Sequence, residues 1–216
     1  MELISQIFQT TRKWLIEAGR MKPTIGVLAL QGGVSEHVAM LESLNCSTKL
    51  IRTPESLSSI NALIIPGGES TALIKLLTRW DLIKPIKELA AAGIPIWGTC
   101  AGSILLSTQI SEKEHIIDQP SLNLAPVRAE RNSFGRQVAS FQENLKISGL
   151  EEPFPGVFIR APLLFPLSEE VEVLASVSEG AVFLRYKNIW LSSFHPELTA
   201  DTRVHKFFIR QAVLGT

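Results

Sequence analysis

The sequence has little cysteine, no excess of charge of either sign and no long hydrophobic run, and each absence excludes a class of protein. Cys46 and Cys100 are the only cysteines among 216 residues, too few for a disulfide framework or a cysteine-rich zinc site, and they suit a reducing cytosol. Lysine and arginine together number 21, as do aspartate and glutamate, so the chain lacks the basic field that holds nucleic acid. No apolar run has the length of a membrane span or a signal peptide. We therefore expect a cytoplasmic protein that binds neither nucleic acid nor membrane.

The composition that is present, 45% hydrophobic and 19% charged residues, is typical of one globular domain. The first strand-like segment begins only at Thr24, so we assign residues 23–216 to the domain and residues 1–22 to an N-terminal extension. Polar residues interrupt the apolar residues of the extension, and the resulting spacing allows an amphipathic helix. A translation start at Met21 explains the extension about as well.

Short β-rich segments alternate with helical segments from Thr24 onward. The predicted strands are TIGVLAL, STKLI, NALIIP and IPIWG, and the predicted helices are VSEHVAMLESL, TALIKLLTRW and IKPIKELAAAG. Such alternation predicts a mainly parallel sheet covered on both faces, with ligands at the carboxyl ends of its strands. Later, VEVLASVS, AVFLRYK and NIWLSSF indicate consecutive antiparallel strands, and TRVHKFFIRQAVL indicates a closing helix. We predict a three-layer α/β domain with a mainly parallel central sheet and an antiparallel extension.

Cys100 is the candidate nucleophile, because it lies between Gly98 and Gly102 at the point where a predicted strand gives way to a helix. This spacing fits a nucleophile elbow, a strained turn whose flanking glycines are needed because side chains would clash there. The following helix directs its amino terminus, with the N–H of Ala101, towards the thiol, which favours a thiolate and a developing oxyanion. Cys46 has no such setting, and we interpret it as a small buried hydrophobe.

His195 is the candidate base, because it directly follows a predicted strand at the edge of the sheet where the chemistry is expected. In an extended chain Glu197 lies on the same side as His195, so it could accept a hydrogen bond from one ring nitrogen while the other faces the cysteine. The other histidines, His37, His115 and His205, are interpreted as surface or half-buried residues.

The segment IIPGGEST, residues 64–71, is the candidate oxyanion loop. Gly67 and Gly68 follow a buried strand and permit unusual dihedral angles, so their N–H groups can point into the site. An ordinary turn with Ser70 as the cap of the next helix is the alternative, and the two interpretations are compatible.

With these three segments in order, the sequence from about Thr24 to the C-terminus resembles the class I, or triad, glutamine amidotransferases. Within them it is most similar to the glutaminase subunits of pyridoxal 5'-phosphate synthases, which implies a flavodoxin-like fold. The segments that carry the resemblance are GVLALQGGVSEH, PGGEST, GTCAG, ERNSFGRQVASF, GVFIRAP and SFHPELT. Two features depart from it: the N-terminal extension and a predicted loop at residues 111–127 that is a few residues longer than usual.

The resemblance implies a role for each matching residue. Cys100 would be the nucleophile, His195 the general acid and base, and Glu197 the residue that orients His195. The oxyanion-hole N–H groups would come from Gly68 and Ala101. The residues implied in binding glutamine are Gly68, Glu69, Ser70, Arg131, Ile159 and Arg160. Charge supports this set, because the α-carboxylate of glutamine attracts arginine and its α-ammonium attracts a carboxylate.

The implied reaction is the hydrolysis of L-glutamine to glutamate and ammonia through a glutamyl thioester, with no metal and no organic cofactor. The implied partner is a separate (β/α)8-barrel synthase subunit, in a hetero-oligomer, which uses the ammonia to build pyridoxal 5'-phosphate from ribose 5-phosphate and glyceraldehyde 3-phosphate. Gln31, at the end of the first predicted strand, is a candidate for activation at the interface with this partner.

Two alternatives differ in class from this interpretation. The glutaminase subunit of another amidotransferase, such as imidazole glycerol phosphate synthase, or a hydrolase of γ-glutamyl bonds would share the triad, but we would not expect it to carry ERNSFGRQ together with FIRAP. A non-catalytic binding subunit is disfavoured by the intact Cys100, His195 and Glu197. A glutaminase assay with and without the barrel partner separates the three.

Overall fold

The structure is a computed structural model that describes residues 22–113, 115–133 and 140–215. The N-terminal extension that we assigned to residues 1–22 lies outside the described residues except for its last residue, and so do residues 134–139 of the segment ERNSFGRQVASF. Among the described helices, none is long and apolar enough to cross a membrane.

The first half of the domain alternates strands and helices as the sequence predicts. Its strands are β1 (Thr24–Leu28), β2 (Ser47–Ile51), β3 (Ala62–Ile65) and β4 (Ile96–Thr99). Its helices are α1 (Val34–Ser43), α2 (Ser70–Arg79), α3 (Ile83–Ala91) and α4 (Ala101–Leu106), with a 3₁₀ turn at Pro54–Leu57. The first strand is shorter than predicted, which leaves a segment of five residues between β1 and α1.

The second half is mostly strand. Its strands are β5 (Ser107–Glu112), β6 (His115–Ile116), β7 (Ala125–Arg131), β8 (Ser140–Leu145), β9 (Phe154–Ile159), β10 (Leu163–Pro166), β11 (Glu172–Val177), β12 (Gly180–Tyr186) and β13 (Ile189–Ser192). A 3₁₀ turn at Pro196–Leu198 follows, and the chain closes with α5 (Arg203–Phe208) and a π-helix (Ile209–Leu214). The predicted closing helix is therefore present, but its last turns are π-helical.

Most of these strands form one sheet in the order β2-β1-β3-β4-β13-β12-β10-β7-β5-β6, and β11 also pairs with β12. In this order, each neighbouring pair from β2 to β13 is parallel. The next three neighbouring pairs, β13/β12, β12/β10 and β10/β7, are antiparallel. Strands β8 and β9 form a separate antiparallel ribbon. The predicted parallel sheet with an antiparallel extension is confirmed, including the antiparallel pairs β11/β12 and β12/β13.

The sheet is buried on both faces in its parallel part. Along β3, Leu63 and Ile65 pack into one hydrophobic cluster, while Ala62 and Ile64 pack into the other. Successive side chains of a strand point to opposite faces, so a strand with no exposed residue must have a layer on each side. Helices α2, α3 and α4 contribute to the first cluster, and α1 and α5 to the second. The three-layer arrangement predicted from the sequence is confirmed.

The main departure from the sequence prediction is in the middle of the chain. Residues 111–127, which we interpreted as a loop, include the end of β5, the short strand β6 and the beginning of β7. Strand β5 pairs parallel with β7 and antiparallel with β6. These strands extend the sheet beyond its parallel core and bring Arg131, the last residue of β7, towards the predicted oxyanion loop.

Candidate active site

Cys100 occupies the turn between β4 and α4 with φ +49° and ψ −107°, in a region that non-glycine residues rarely adopt. Its backbone N–H donates to the carbonyl of Ser192 in the neighbouring strand at 2.7 Å. The flanking glycines are required by contact: a Cβ on Gly98 would lie 2.4 Å from the backbone of Gly102, and a Cβ on Gly102 would lie 2.1 Å from the carbonyl oxygen of Ile65. The geometry therefore has the strained backbone and the close glycine contacts of the predicted elbow.

His195 reaches the same edge of the sheet because β13 pairs parallel with β4, with Ser192 in register with Thr99. The backbone N–H of His195 donates to Val157 of β9 at 2.7 Å. Its Nδ1 lies 2.8 Å from Oε1 of Glu197, whose side chain is fully buried. Sequence reasoning paired these two residues through an extended chain, but the structure pairs them through the 3₁₀ turn that begins at Pro196.

The pKa values of His195 and Glu197 are shifted by their contacts in the site. Burial by itself lowers the pKa of His195, but hydrogen bonding with Cys100 and Glu197 and the charges of both outweigh burial and raise the pKa to about 10. Burial raises the pKa of Glu197, but the neighbouring His37 and His195 outweigh it, and the net shift is downward. By contrast, burial raises the pKa of the Cys46 thiol to about 11. The contacts of His195 thus favour its protonated ring beside Cys100, whereas the surroundings of Cys46 favour a neutral thiol.

The glycine loop after β3 lies against these side chains. A Cβ on Gly67 would be 2.5 Å from Cε1 of His195 and 3.3 Å from Cβ of Cys100, so only glycine fits beside the pair. The N–H of Gly67 donates to Oγ1 of Thr99 at 3.1 Å. Gly68 has φ +152°, and its Cα faces the exposed side chain of Gln31, about 3.4 Å from where a Cβ would be.

Glu69 is the cap of α2, and the alternative that assigned this role to Ser70 is wrong. The Glu69 carboxylate accepts hydrogen bonds from the N–H groups of Thr71 at 3.0 Å and Ala72 at 2.6 Å, as an N-cap side chain does. Ser70 is instead the first residue of the helix, and its buried hydroxyl donates to Oε1 of Gln119 at 3.4 Å.

Arg131 joins this loop to β7. Its Nη2 lies 3.6 Å from Oε1 of Glu69, and its Nη1 donates to Oε1 of Gln119 at 2.9 Å. Gln119 also accepts from Ser70 and Thr71, and its own amide nitrogen is buried without a partner among the described residues. Sequence reasoning missed Gln119, because a single glutamine in a polar loop gives no pattern that distinguishes it.

Ile159 and Arg160 approach from β9. The thiol of Cys100 donates to the carbonyl of Ile159 at 3.7 Å, and the Ile159 side chain is 39% exposed. Arg160 follows with φ +45°, a strained conformation for an arginine, and is exposed. The structure therefore places the backbone of Ile159 at the thiol, whereas the Arg160 side chain lies at the surface.

Two histidines differ from expectation. His37 and His205 are fully buried, not at the surface or half-buried as we predicted, whereas His115 is exposed in β6 as expected. Nε2 of His37 lies 3.4 Å from Oε2 of Glu197, and Nδ1 of His37 lies 2.9 Å from Nε2 of His205. The signal that could have found His37 is its spacing in the first helix, where it shares the buried face with Met40 and Leu41. Across the described residues, no group of three or more His, Cys, Asp or Glu side chains could hold a metal ion.

Comparison with known proteins gives the family. The profile of the SNO glutamine amidotransferase family matches residues 27–214. The pyridoxal 5'-phosphate synthase subunit PdxT of Herpetosiphon aurantiacus is 50% identical over 188 residues, which cover 86% of this chain and 98% of the relative. PdxT of Bacillus pumilus is 47% identical over 186 residues, 86% of this chain and 93% of the relative.

Solved structures agree. One described as "Crystal structure of glutamine amidotransferase" is 42% identical with a TM-score of 0.81, covering 89% of this chain and 99% of the other. PurLQS from Thermotoga maritima has a TM-score of 0.64 over 88% of this chain and 99% of the other, but at 17% identity it shares the fold alone. The resemblance that the motifs indicated is confirmed: the chain belongs to the SNO glutamine amidotransferase family.

Proposed function

We propose that this chain is the glutaminase subunit of a pyridoxal 5'-phosphate synthase and hydrolyses L-glutamine with Cys100, His195 and Glu197. One observation carries the assignment of the residues: the cysteine of a strained elbow and a histidine lie against the same glycine, Gly67, and Nδ1 of that histidine is 2.8 Å from a buried carboxylate. This is the arrangement in which a nucleophile, its base and the group that orients the base act as a unit. The assignment to a pyridoxal 5'-phosphate synthase rests on the relatives named PdxT.

The reaction starts from the proton arrangement of the site. Nδ1–H of His195 donates to Glu197, which leaves Nε2 to exchange a proton with the Cys100 thiol. His195 takes this proton as the general base, and the thiolate that results is the attacking group. Attack on the side-chain carboxamide of glutamine forms a tetrahedral oxyanion, which accepts hydrogen bonds from the N–H groups of Gly68 and Ala101.

Collapse of this intermediate breaks the carbon–nitrogen bond. The imidazolium of His195 protonates the leaving nitrogen, ammonia departs, and a glutamyl thioester remains on Cys100. His195, now neutral, takes a proton from water, the hydroxide attacks the thioester, and glutamate leaves as the thiolate is restored. Every proton passes through one ring nitrogen, which is why the other must be held.

Glutamine binding would use the loop from Gly68 to Ser70 together with Arg131, Ile159 and Arg160. The ion pair between Glu69 and Arg131 places a carboxylate and a guanidinium side by side at the end of the sheet. The α-ammonium and α-carboxylate of free glutamine have the complementary charges. In this arrangement Ser70 supports the site through Gln119, since its hydroxyl is buried.

The ammonia would pass to a (β/α)8-barrel synthase subunit in a hetero-oligomer in the cytoplasm. Gln31 is exposed and lies against Gly68, so a partner that contacts this side chain could set the orientation of the oxyanion N–H. We therefore expect glutaminase activity to be low in the isolated chain and to rise when the partner docks.

The experiment uses His195→Asn and the wild type, each mixed with the barrel subunit. Asparagine cannot shuttle a proton at neutral pH, so glutamine hydrolysis should fall by a factor of ~10²–10⁴. Synthesis of pyridoxal 5'-phosphate should persist when an ammonium salt replaces glutamine, because docking and the barrel are unaffected. If the His195→Asn mixture makes pyridoxal 5'-phosphate from glutamine at the wild-type rate, His195 is not the base. A wild-type chain that gains no glutaminase activity from the barrel would overturn the assignment to this synthase.

A further inference from the structure

His37 is a buried histidine outside the triad that nevertheless contacts it. It lies in α1, its side chain is fully buried, and its Nε2 is 3.4 Å from Oε2 of Glu197 and 3.4 Å from Oγ1 of Thr99. Its other ring nitrogen is 2.9 Å from Nε2 of His205, which is also fully buried. The triad therefore continues inwards from Glu197 through two imidazole rings.

The protons of these rings have one arrangement that leaves no buried N–H unpaired. If Nε2 of His37 carries a proton, that N–H lies 3.4 Å from both Oγ1 of Thr99 and Oε2 of Glu197, and Nδ1 accepts the N–H of His205. The remaining nitrogen of His205, Nδ1, has no hydrogen-bond partner among the described residues. In this arrangement that nitrogen carries only a lone pair, which costs less to bury than an N–H.

The opposite arrangement is unfavourable at His205. Nδ1 of His205 would carry a buried proton with no acceptor among the described residues, while the lone pair of His37 Nε2 would accept the hydroxyl of Thr99 beside the Glu197 carboxylate. Burial also disfavours the protonated form of both rings, so the pKa of each is lowered, although the charge of Glu197 opposes this for His37. Two neutral rings with both donors directed towards Glu197 are the consistent state.

We propose that His37 is a positioning residue for the hydrolysis of glutamine, acting through Glu197; this inference rests on the proposed function. By donating to Oε2, His37 holds the carboxylate in the rotation that presents Oε1 to His195. A buried carboxylate oxygen without this donor would be free to turn towards another partner. At 3.4 Å this contact is long, and Oε2 of Glu197 has no hydrogen-bond partner among the described residues; contacts in unliganded active sites are often long in this way.

His37 also connects Glu197 with the oxyanion loop. The hydroxyl of Thr99 that lies near His37 accepts the N–H of Gly67, and Thr99 directly precedes Cys100. A Cβ on Gly33, which precedes α1, would lie 3.0 Å from Oε1 of Glu197, so the start of α1 is in contact with the same carboxylate. Helix α1 thus contacts the triad through its backbone as well as through His37.

The test compares two amides that differ by one methylene. In His37→Gln the amide nitrogen reaches about as far as Nε2 of the imidazole and can donate to Glu197. In His37→Asn the amide reaches only the position of Nδ1, so it can pair with His205 but not with Glu197. His205→Gln is the control, because it removes an equally buried ring from the same cluster while its amide nitrogen keeps a donor at the position that contacts Nδ1 of His37.

The measurement is alkylation of Cys100 by iodoacetamide across a range of pH in the full chain, with the site of modification identified by mass spectrometry. The charged and titratable groups around His37 are Glu197, His195, His205 and Glu36. A His195 ring that Glu197 holds less firmly stabilises the thiolate of Cys100 less. In His37→Asn we therefore expect the alkylation profile of Cys100 to move to higher pH and the rate at pH 7 to fall roughly tenfold.

We expect His37→Gln to keep the wild-type profile, and His205→Gln to leave the rate within about a factor of two, since it keeps the donor to His37 and does not touch Glu197. Thermal unfolding of each variant shows whether it is folded. If His37→Asn does not fold, His37→Leu removes the same N–H with a larger apolar side chain. With the barrel present, kcat for glutamine should follow the same order while KM changes little, because His37 does not contact substrate.

Equal alkylation profiles for the wild type and a folded His37→Asn would overturn the inference. So would an equal shift in His37→Asn and His205→Gln, because it would show a general effect of disturbing the buried rings. A wild-type Cys100 that reacts no faster than Cys46 would overturn the proposed function and the inference with it. The first two outcomes leave the proposed function intact, so the two failures are distinguishable.

Discussion

Replacing Glu197 with glutamine removes the charge of the triad while keeping its shape. The side chain is fully buried and faces Nδ1 of His195 at 2.8 Å and Nε2 of His37 at 3.4 Å. Because His37 donates to this group, the amide oxygen of the variant should face His37 and its NH₂ should face His195. His195 would then accept at Nδ1 and carry its proton on Nε2, where it cannot take the proton of Cys100.

The size of the effect follows from the distance. At an effective dielectric constant of about 20, a carboxylate 3 to 4 Å from an imidazolium stabilises it by about 4 to 6 kcal/mol. Since each 1.36 kcal/mol is a factor of ten in rate, hydrolysis by Glu197→Gln should fall by roughly 10³- to 10⁴-fold. The burial of the carboxylate means that solvent screens little of this interaction.

The assay is steady-state hydrolysis of glutamine in the presence of the barrel subunit. Glu36→Gln is the matched control, because Glu36 is exposed in α1 close to His37 and undergoes the same chemical change. We expect the control to keep at least about half of the wild-type rate. Activity above a tenth of the wild-type value in a folded Glu197→Gln would refute the reasoning, because neither the charge nor the tautomer of His195 would then matter.

Four further predictions follow from single positions. Cys100→Ala and Cys100→Gly should both lose hydrolysis in the glutaminase assay, but denaturant unfolding should show Cys100→Gly to be about 1 kcal/mol or more the stabler, since glycine relieves the positive φ. Gly102→Ala should cost about 3 kcal/mol by backbone clash, against about 1 kcal/mol for Gly93→Ala, where φ is +80° and the space is open. Arg131→Ala should raise the KM for glutamine more than it lowers kcat. The pKa of His205 is lowered in the fold, so as pH falls below about 6.5 the unfolded chain gains a proton at this residue before the folded chain does. The stability of the protein, measured at pH 7.5 and 5.5, should therefore drop on acidification. The drop should be smaller in His205→Asn.

The parallel half of the fold was predictable because each of its strands carries its own signal. Strands β3 and β4 are short, wholly buried apolar runs, and each is followed by glycines and a helix. Once the strands are parallel, their carboxyl ends lie at one edge of the sheet, which is where Gly67, Cys100 and His195 meet. The order of the strands was not needed to predict that meeting.

The middle of the chain gave no such signal. Strand β5 carries polar and apolar residues without a regular alternation and pairs with β7 across a register shift, while β6 has only two residues. Their extended conformation is stabilised by pairing with distant segments, which local periodicity does not record. The capping of α2 was misassigned for a related reason, because Glu69 and Ser70 are both plausible from the local sequence and only the backbone geometry selects the former.

The buried histidines show where residue-by-residue reasoning stops. Histidine is often half-exposed, so placing His37 and His205 at the surface follows the usual distribution. Two histidines 168 positions apart become buried together because each supplies what the other lacks, a donor for one ring and an acceptor for the other. Nε2 of His37, the last donor of the pair, lies 3.4 Å from both Oγ1 of Thr99 and Oε2 of Glu197. A buried polar chain of this kind is favourable only when its members are satisfied, so the same burial that made these histidines hard to predict places them against the triad.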